Sequence, residues 1–175
     1  MTPGEVVVLG LLYEQERYGY EIEEIIKQRQ IREWAEIGFS SIYSILNKLE
    51  KAGWVESRYD KAFGSPKRRV YSLKDDAKSA LLDEIRRMLS SPHRVFSEFD
   101  VGMAYSYLLE KQEVIQCLSA YKKNLSERQA YLQAENQNHK EARSHKHVKV
   151  LFTRPLCMIK AESRWLDDLI HEIKE

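Results

Sequence analysis

Seven positions near the C-terminus constrain most tightly what this chain folds into. Phe152, Leu156, Ile159, Ser163, Leu166, Ile170 and Ile173 are spaced 4, 3, 4, 3, 4, 3, an unbroken a/d pattern on one helix running roughly from Thr153 to Lys174. So narrow an apolar stripe requires a partner helix. The chain supplies one. From Glu110 onward Leu118, Leu125 and Leu132 recur every seven residues, with Val114 and Tyr121 in the interleaved position. An antiparallel pair of helices still leaves apolar area open, so a second copy of the chain is the expected cover. Leu118, Leu125, Leu132, Phe152, Leu156, Ile159, Leu166, Ile170 and Ile173 are the candidate dimerisation residues.

The N-terminal half has a different rhythm. Thr2-Pro3-Gly4-Glu5 has the form of a capping box with Pro at the first helical position, and Val6 to Leu12 continue as a core helix. Glu14 to Arg17 reads as a polar break. Tyr18-Gly19-Tyr20-Glu21-Ile22 then opens an amphipathic helix with Ile22, Ile25 and Ile26 on its buried side and an end near Gln30 to Glu33. A third helix spans Phe39 to Gly53. Ile42, Ile45, Leu46 and Leu49 make its apolar stripe, whereas Ser40, Tyr43, Ser44, Asn47, Lys48 and Lys51 project away from it. Ser40 can cap this helix and Gly53 can end it in a left-handed turn. Hydroxyls, an amide, a phenol and two ammonium groups on one face suit phosphates and base edges. The plain alternative is a solvated surface helix.

After Gly53 the period shortens toward two. Trp54 to Asp60 and Lys67 to Leu73 read as strands joined by the turn-forming stretch Lys61-Ala62-Phe63-Gly64-Ser65-Pro66, a hairpin with a basic tip. Three helices followed by a hairpin make a winged helix-turn-helix, whose third helix enters the major groove while the wing touches flanking backbone. Ser72 to Asp75 starts a fourth helix with Ala77, Leu81, Ile85 and Leu89 as its apolar positions, and Ser91-Pro92-His93 marks a boundary. The fold class is therefore mainly α with a small β-hairpin: residues 1–91 form a DNA-binding winged helix-turn-helix and residues 92–175 a coiled-coil-like helical dimerisation domain. Phe96, Phe99, Met103, Tyr105 and Tyr107 line either core or an effector pocket. Gln133 to Lys149 is polar and reads as a frayed helix end plus a solvated turn.

Composition narrows the function. A net charge of +1 excludes binding to nucleic acid by bulk basicity, and residues 1–73 carry 11 Lys and Arg against 11 Asp and Glu. Contacts must come from local clustering. Arg58, Lys61, Lys67, Arg68 and Arg69 provide it against Asp60 alone. Lys61, Lys67 and Arg68 are the candidate backbone contacts, with Arg69 in line with Tyr71 and Leu73 as a structural residue. A charged hairpin that merely blocks edge pairing is the alternative. Of Tyr18 and Tyr20, one hydroxyl suits a phosphate, and Tyr18 is taken as the contact. Cys117 and Cys157 lie in helical patterns with no Cys-x-x-Cys partner, which suggests small core or interface residues. His139, His145 and His147 lack a carboxylate or Cys at ligand spacing, so no metal site is expected. Neither a Gly-rich phosphate loop nor a nucleophile and base pair is present, which points away from an enzyme or a cofactor. No apolar run suits a membrane span and no secretory signature precedes Leu12, so a cytoplasmic protein is expected.

These residues together resemble the PadR family of bacterial transcriptional regulators. The resemblance rests on Tyr18-Gly19-Tyr20-Glu21-Ile22, the helix from Ser40-Ser41-Ile42-Tyr43 to Leu49-Glu50, Gly53-Trp54-Val55, and Pro66-Lys67-Arg68-Arg69-Val70-Tyr71-Ser72-Leu73, in order over residues 4–82. The remainder is similar in architecture to the virulence-activator-like branch. Membership implies a homodimer on an inverted-repeat operator in promoter DNA, usually as a repressor. In that setting the DNA contacts read from the helix face, the second-helix start and the basic wing are Tyr18, Ser40, Ser41, Tyr43, Ser44, Asn47, Lys48, Lys61, Lys67 and Arg68. Membership also leaves room for an unidentified small-molecule effector. Several relatives stack a flat aromatic drug on a Trp of the C-terminal helix, whereas Trp165 here sits next to the seam. A winged-helix and coiled-coil protein-interaction module without sequence-specific DNA binding is the alternative function.

Overall fold

The computed structural model describes residues 1–38, 41–60, 68–92, 96–141 and 146–175, with the side chains of residues 41, 138–141 and 146–148 left aside. The chain divides into two units, Met1–Arg94 and Val95–Glu175.

Helix α1, Pro3–Glu14, starts as its sequence dictates. The Glu5 amide donates to Thr2 Oγ1 at 3.3 Å while Glu5 Oε2 accepts from the Thr2 amide at 2.9 Å. Two of the helix's orphan donors are thereby satisfied. Val8, Leu9, Leu11 and Leu12 are buried and form the centre of the first unit's core. Helix α2, Gly19–Gln28, buries Ile22 and Ile26, then stops at Gln30, whose φ of 50° is left-handed. A 3-10 turn, Ile31–Glu33, follows. Helix α3, Ser41–Lys51, seals the core with Ile42, Leu46 and Leu49. Gly53, at φ +78°, turns the chain out of it, a conformation that costs glycine little.

Strands β2, Val55–Asp60, and β3, Arg68–Leu73, pair antiparallel from Val55 opposite Leu73 to Asp60 opposite Arg68. The wing is not a simple hairpin, however. A further strand, β1, Arg17–Tyr18, pairs with β3, giving a sheet of order β1-β3-β2. The polar break expected at Glu14 to Arg17 thus ends in the sheet, at Arg17. Arg17 is buried, its Nε donating to the Leu11 carbonyl at 3.1 Å. Helix α4, Asp75–Ser90, buries Ala77 and Leu81 but leaves Ile85 and Leu89 exposed at 36% and 85%.

The second unit opens with α5, Glu98–Ala104, and a 3-10 turn, Ser106–Leu108. Helices α6, Lys111–Glu141, and α7, Lys146–Lys174, then form an antiparallel hairpin. Lys111 Nζ donates to the Lys174 carbonyl at one end, and Leu132 meets Phe152 and Leu156 toward the other. The two helices are longer than their apolar patterns suggested. The stretch read as frayed continues helically to Glu141, because Gln, Ala and Glu after Leu132 are good helix formers even without a stripe. Helix α7 begins before Thr153 and carries Pro155 in its interior, where one backbone hydrogen bond must be missing. Cys117 and Cys157 are both exposed, so neither is a core residue of the single chain. No helix among the described residues is long and apolar enough to cross a membrane.

Candidate nucleic-acid interface

Because Ile42, Leu46 and Leu49 bury one stripe of α3, the opposite stripe is forced outward. Tyr43, Ser44, Asn47, Lys48 and Lys51 are all exposed. Ser44, Asn47, Lys48 and Lys51 line one surface depression. Four of the predicted contacts, Tyr43, Ser44, Asn47 and Lys48, therefore share a face. Ser40, Lys61 and Lys67 lie outside the described residues, as does the side chain of Ser41.

The wing is tied to α3 by one carboxylate. Glu50, in the last turn of α3, accepts from the Ser57 hydroxyl of β2 at 2.6 Å and from Arg69 Nη2 of β3 at 2.5 Å. Arg69 Nε also donates to Ser57 Oγ at 2.9 Å, and its guanidinium lies 5.3 Å from the Tyr71 ring centroid. The Ser57 hydroxyl holds the Glu50 carboxyl below its ordinary range, with burial opposing and Arg69 assisting. Arg69 is thus a structural link between wing and helix, as its alternation predicted.

Several cations of this surface have intramolecular anions. Lys48 Nζ donates to Glu5 Oε1 at 2.5 Å, joining α3 to the capping box of α1. Glu5 is 7% exposed. Burial pushes its carboxyl up, but Lys48 and the Thr2 amide outweigh that and leave it lowered. Arg58 makes two bonds of 2.6 Å to Glu16.

Tyr18 and Tyr20 both have partners within the chain. The Tyr18 hydroxyl donates to Asp60 Oδ2 at 2.6 Å, and this carboxylate pushes the phenol up. Its ring stacks on Tyr20 at 5.5 Å and 13°. Tyr20 in turn carries Arg68, whose Nη1 donates to the Tyr20 hydroxyl at 3.2 Å with the guanidinium 5.4 Å from the ring centroid. The link of Tyr20 to Arg68 spans 48 positions, beyond the reach of any local pattern.

The candidate dimerisation residues meet within one chain. Leu118, Leu132, Phe152, Leu156, Ile159 and Leu166 are buried, whereas Leu125, Ile170 and Ile173 are only partly buried against the same clusters. Tyr121 donates to Glu162 Oε1 at 2.7 Å. Phe99 packs on Tyr121 at 4.6 Å and meets Trp165 edge-on at 5.9 Å. Phe99 and Met103 join this core, while Phe96, Tyr105 and Tyr107 are exposed. Among the described residues, no group of His, Cys, Asp and Glu could hold a metal ion, and the side chains of His139, His145 and His147 are not among those described.

An exposed polar helix locked beside a three-stranded wing defines a winged helix-turn-helix protein. Residues 8–83 match the transcriptional regulator PadR-like family. The chain is 30% identical over 125 residues to the negative transcriptional regulator PadR of Bacillus subtilis, an alignment covering 71% of this chain and 66% of that protein. It belongs to the PadR-like family, which is one of transcriptional regulators and not of enzymes. Bacillus subtilis PadR in complex with operator DNA superposes with a TM-score of 0.76 at 24% identity, covering 97% of this chain and 98% of that one. In complex with p-coumaric acid its TM-score is 0.77 at 24% identity, covering 98% of each chain. The Vibrio cholerae virulence activator AphA matches at 0.70 and 18% identity, again over 98% of both chains. These structures share the fold from end to end.

Proposed function

We infer that this protein is a homodimeric, cytoplasmic, sequence-specific DNA-binding regulator that represses promoters carrying an inverted-repeat operator. The observation that carries this reading is the exposed face of α3, Tyr43, Ser44, Asn47, Lys48 and Lys51, held against the wing through Glu50. That face supplies the donors a major groove accepts, and Arg68, held on Tyr20, offers a cation for phosphate, which supports the reading. The Bacillus subtilis relative, a negative regulator crystallised on operator DNA, supports the direction of control. The p-coumaric acid complex of the same relative supports a small effector, and Trp165 beside Phe99 gives a fluorescent reporter for one.

In this dimer Val101, Tyr105, Tyr107 and Leu108, each more than half exposed in the single chain, supply apolar area for a second copy to cover. Residues 1–91 are the reading domain and residues 92–175 the dimerisation domain. A mobility-shift titration against promoter DNA, run across salt concentrations, tests the reading. Affinity falls with salt, and Lys67→Ala with Arg68→Ala lowers the log–log slope by about one for each phosphate no longer neutralised. An unchanged slope contradicts the wing assignment. Dimers without affinity for any duplex would identify a protein-interaction module instead.

A further inference from the structure

Gly19 and Tyr43 form a contact that the wing and the helix face do not explain. Gly19 is the buried first residue of α2, and its backbone is not in the left-handed region. Nothing in that conformation demands glycine, and alanine would favour the helix. The demand comes from Tyr43. A Cβ at position 19 would stand 2.6 Å from Tyr43 Cε1, 3.2 Å from Cζ and 3.4 Å from Cδ1, and these are its three nearest neighbours. Real side chains do not approach so closely, so the ring keeps its position only while residue 19 lacks a side chain.

Tyr43 nevertheless remains 55% exposed. One part of the ring is seated on buried α2 backbone while the rest faces outward from α3. A rigid aromatic with two rotatable bonds, seated in this way, presents its hydroxyl at a fixed point with little entropy left to lose.

We propose that Gly19 is a positioning residue for sequence recognition, setting the aim of Tyr43, and that Tyr43 discriminates base sequence rather than anchoring phosphate. This rests on the DNA-binding reading above. The added methyl of Gly19→Ala meets side-chain atoms only, and the half-exposed ring can be displaced into solvent, so the fold survives and the aim is lost.

The test compares wild type, Gly19→Ala, Tyr43→Ala and the double variant as full-length proteins. Each is titrated with the duplex that wild type enriches most from a random-sequence pool, and with a shuffled duplex of the same composition. Gly19→Ala loses about tenfold in affinity for the enriched duplex, the scale of one mismatched base pair. Its affinity for the shuffled duplex and its salt slope stay unchanged. Tyr43→Ala loses at least as much, and the double variant loses no more than Tyr43→Ala.

Undiminished preference in Gly19→Ala overturns the proposal, as does an equal loss from Gly19→Ala in the Tyr43→Ala background. If Gly19→Ala does not fold, Tyr43→Phe leaves the ring on Gly19 and removes only the hydroxyl. It must then lower preference for the enriched duplex, and unchanged preference overturns the proposal. A wild-type protein that enriches no duplex removes the DNA-binding reading itself, and this inference with it.

Discussion

The two units of this molecule handle apolar surface in opposite ways. In the winged helix, α1 is surrounded, and Val8, Leu9, Ile22, Ile26 and Leu46 are completely buried by elements of the same unit. In the second unit, among the described residues, only Leu166 is buried to that degree, while Leu125, Ile170 and Ile173 are partly open and Val101, Tyr105, Tyr107, Leu108 and Met158 are more than half exposed. A three-dimensional core closes on itself, whereas a two-helix seam has neighbours on one side only. The first unit can therefore carry a self-contained reading surface. The second has apolar area to offer a second copy.

The same truncation in each unit gives the largest test of this contrast. Leu46→Ala opens a cavity in a closed core and costs roughly 3–5 kcal/mol, abolishing duplex binding with it. Leu166→Ala costs about 2–3 kcal/mol, since the site can partly collapse. Denaturant melts measure both. In the Leu166→Ala protein the midpoint also depends more steeply on protein concentration if the hairpin is shared between copies. Equal losses without concentration dependence would break the comparison.

A smaller effect comes from the link between helix and wing. Glu50→Ala leaves Ser57 and Arg69 without their shared acceptor and costs about 1 kcal/mol, because both partners are partly solvated. Duplex affinity falls more than stability does, since the wing loses its register with α3. A Glu50→Ala protein with wild-type affinity would remove Glu50 from that role.

The pH response separates the units at the gentlest level. In the winged helix Glu5, Glu14, Glu16, Glu50 and Glu84 are held below the ordinary carboxylate range. Glu84 falls from 4.5 to about 2, first through its hydrogen bond to Arg87. The unfolded chain takes up protons before the folded one does, so this stabilisation is complete above the ordinary value and is lost as pH falls toward 2. In the hairpin, burial and then Glu162 push Tyr121 from 10.0 up to about 12. The unfolded tyrosine ionises first, so that contribution is complete below pH 10 and disappears as pH rises toward 12. Acid therefore weakens the winged helix while the Tyr121 contribution stays complete, whereas alkali weakens both units, because Tyr18 and Tyr71 of the winged helix are also pushed up. Melts followed by tryptophan fluorescence across pH check this.

Sequence periodicity revealed the elements whose residues repeat. The capping box of α1, the stripe of α3 and the seam of α7 all lie close to their expected places. Three features escaped it for physical reasons. A two-residue strand such as β1 has no period to detect, and with β1 unseen the wing looked like a hairpin. Contacts such as Lys48 with Glu5, 43 positions apart, depend on tertiary packing and leave no local mark. Periodicity also identifies an apolar stripe without saying what covers it, which is why Ile85 and Leu89 were read with Ala77 and Leu81 although they are exposed. The Tyr-Gly-Tyr-Glu stretch was legible as a motif. The need for its glycine became clear only once Tyr43 lay beside it.

The central claim is that a self-contained reading unit is duplicated by a hairpin that is not self-contained. Hydroxyl-radical footprinting of the full-length protein on the duplex it enriches from a random pool tests both halves at once. The account predicts two protected half-sites related by two-fold symmetry, with centres about one helical turn, roughly 34–36 Å, or a whole multiple of it apart. One unsymmetrical footprint, or none, would contradict it.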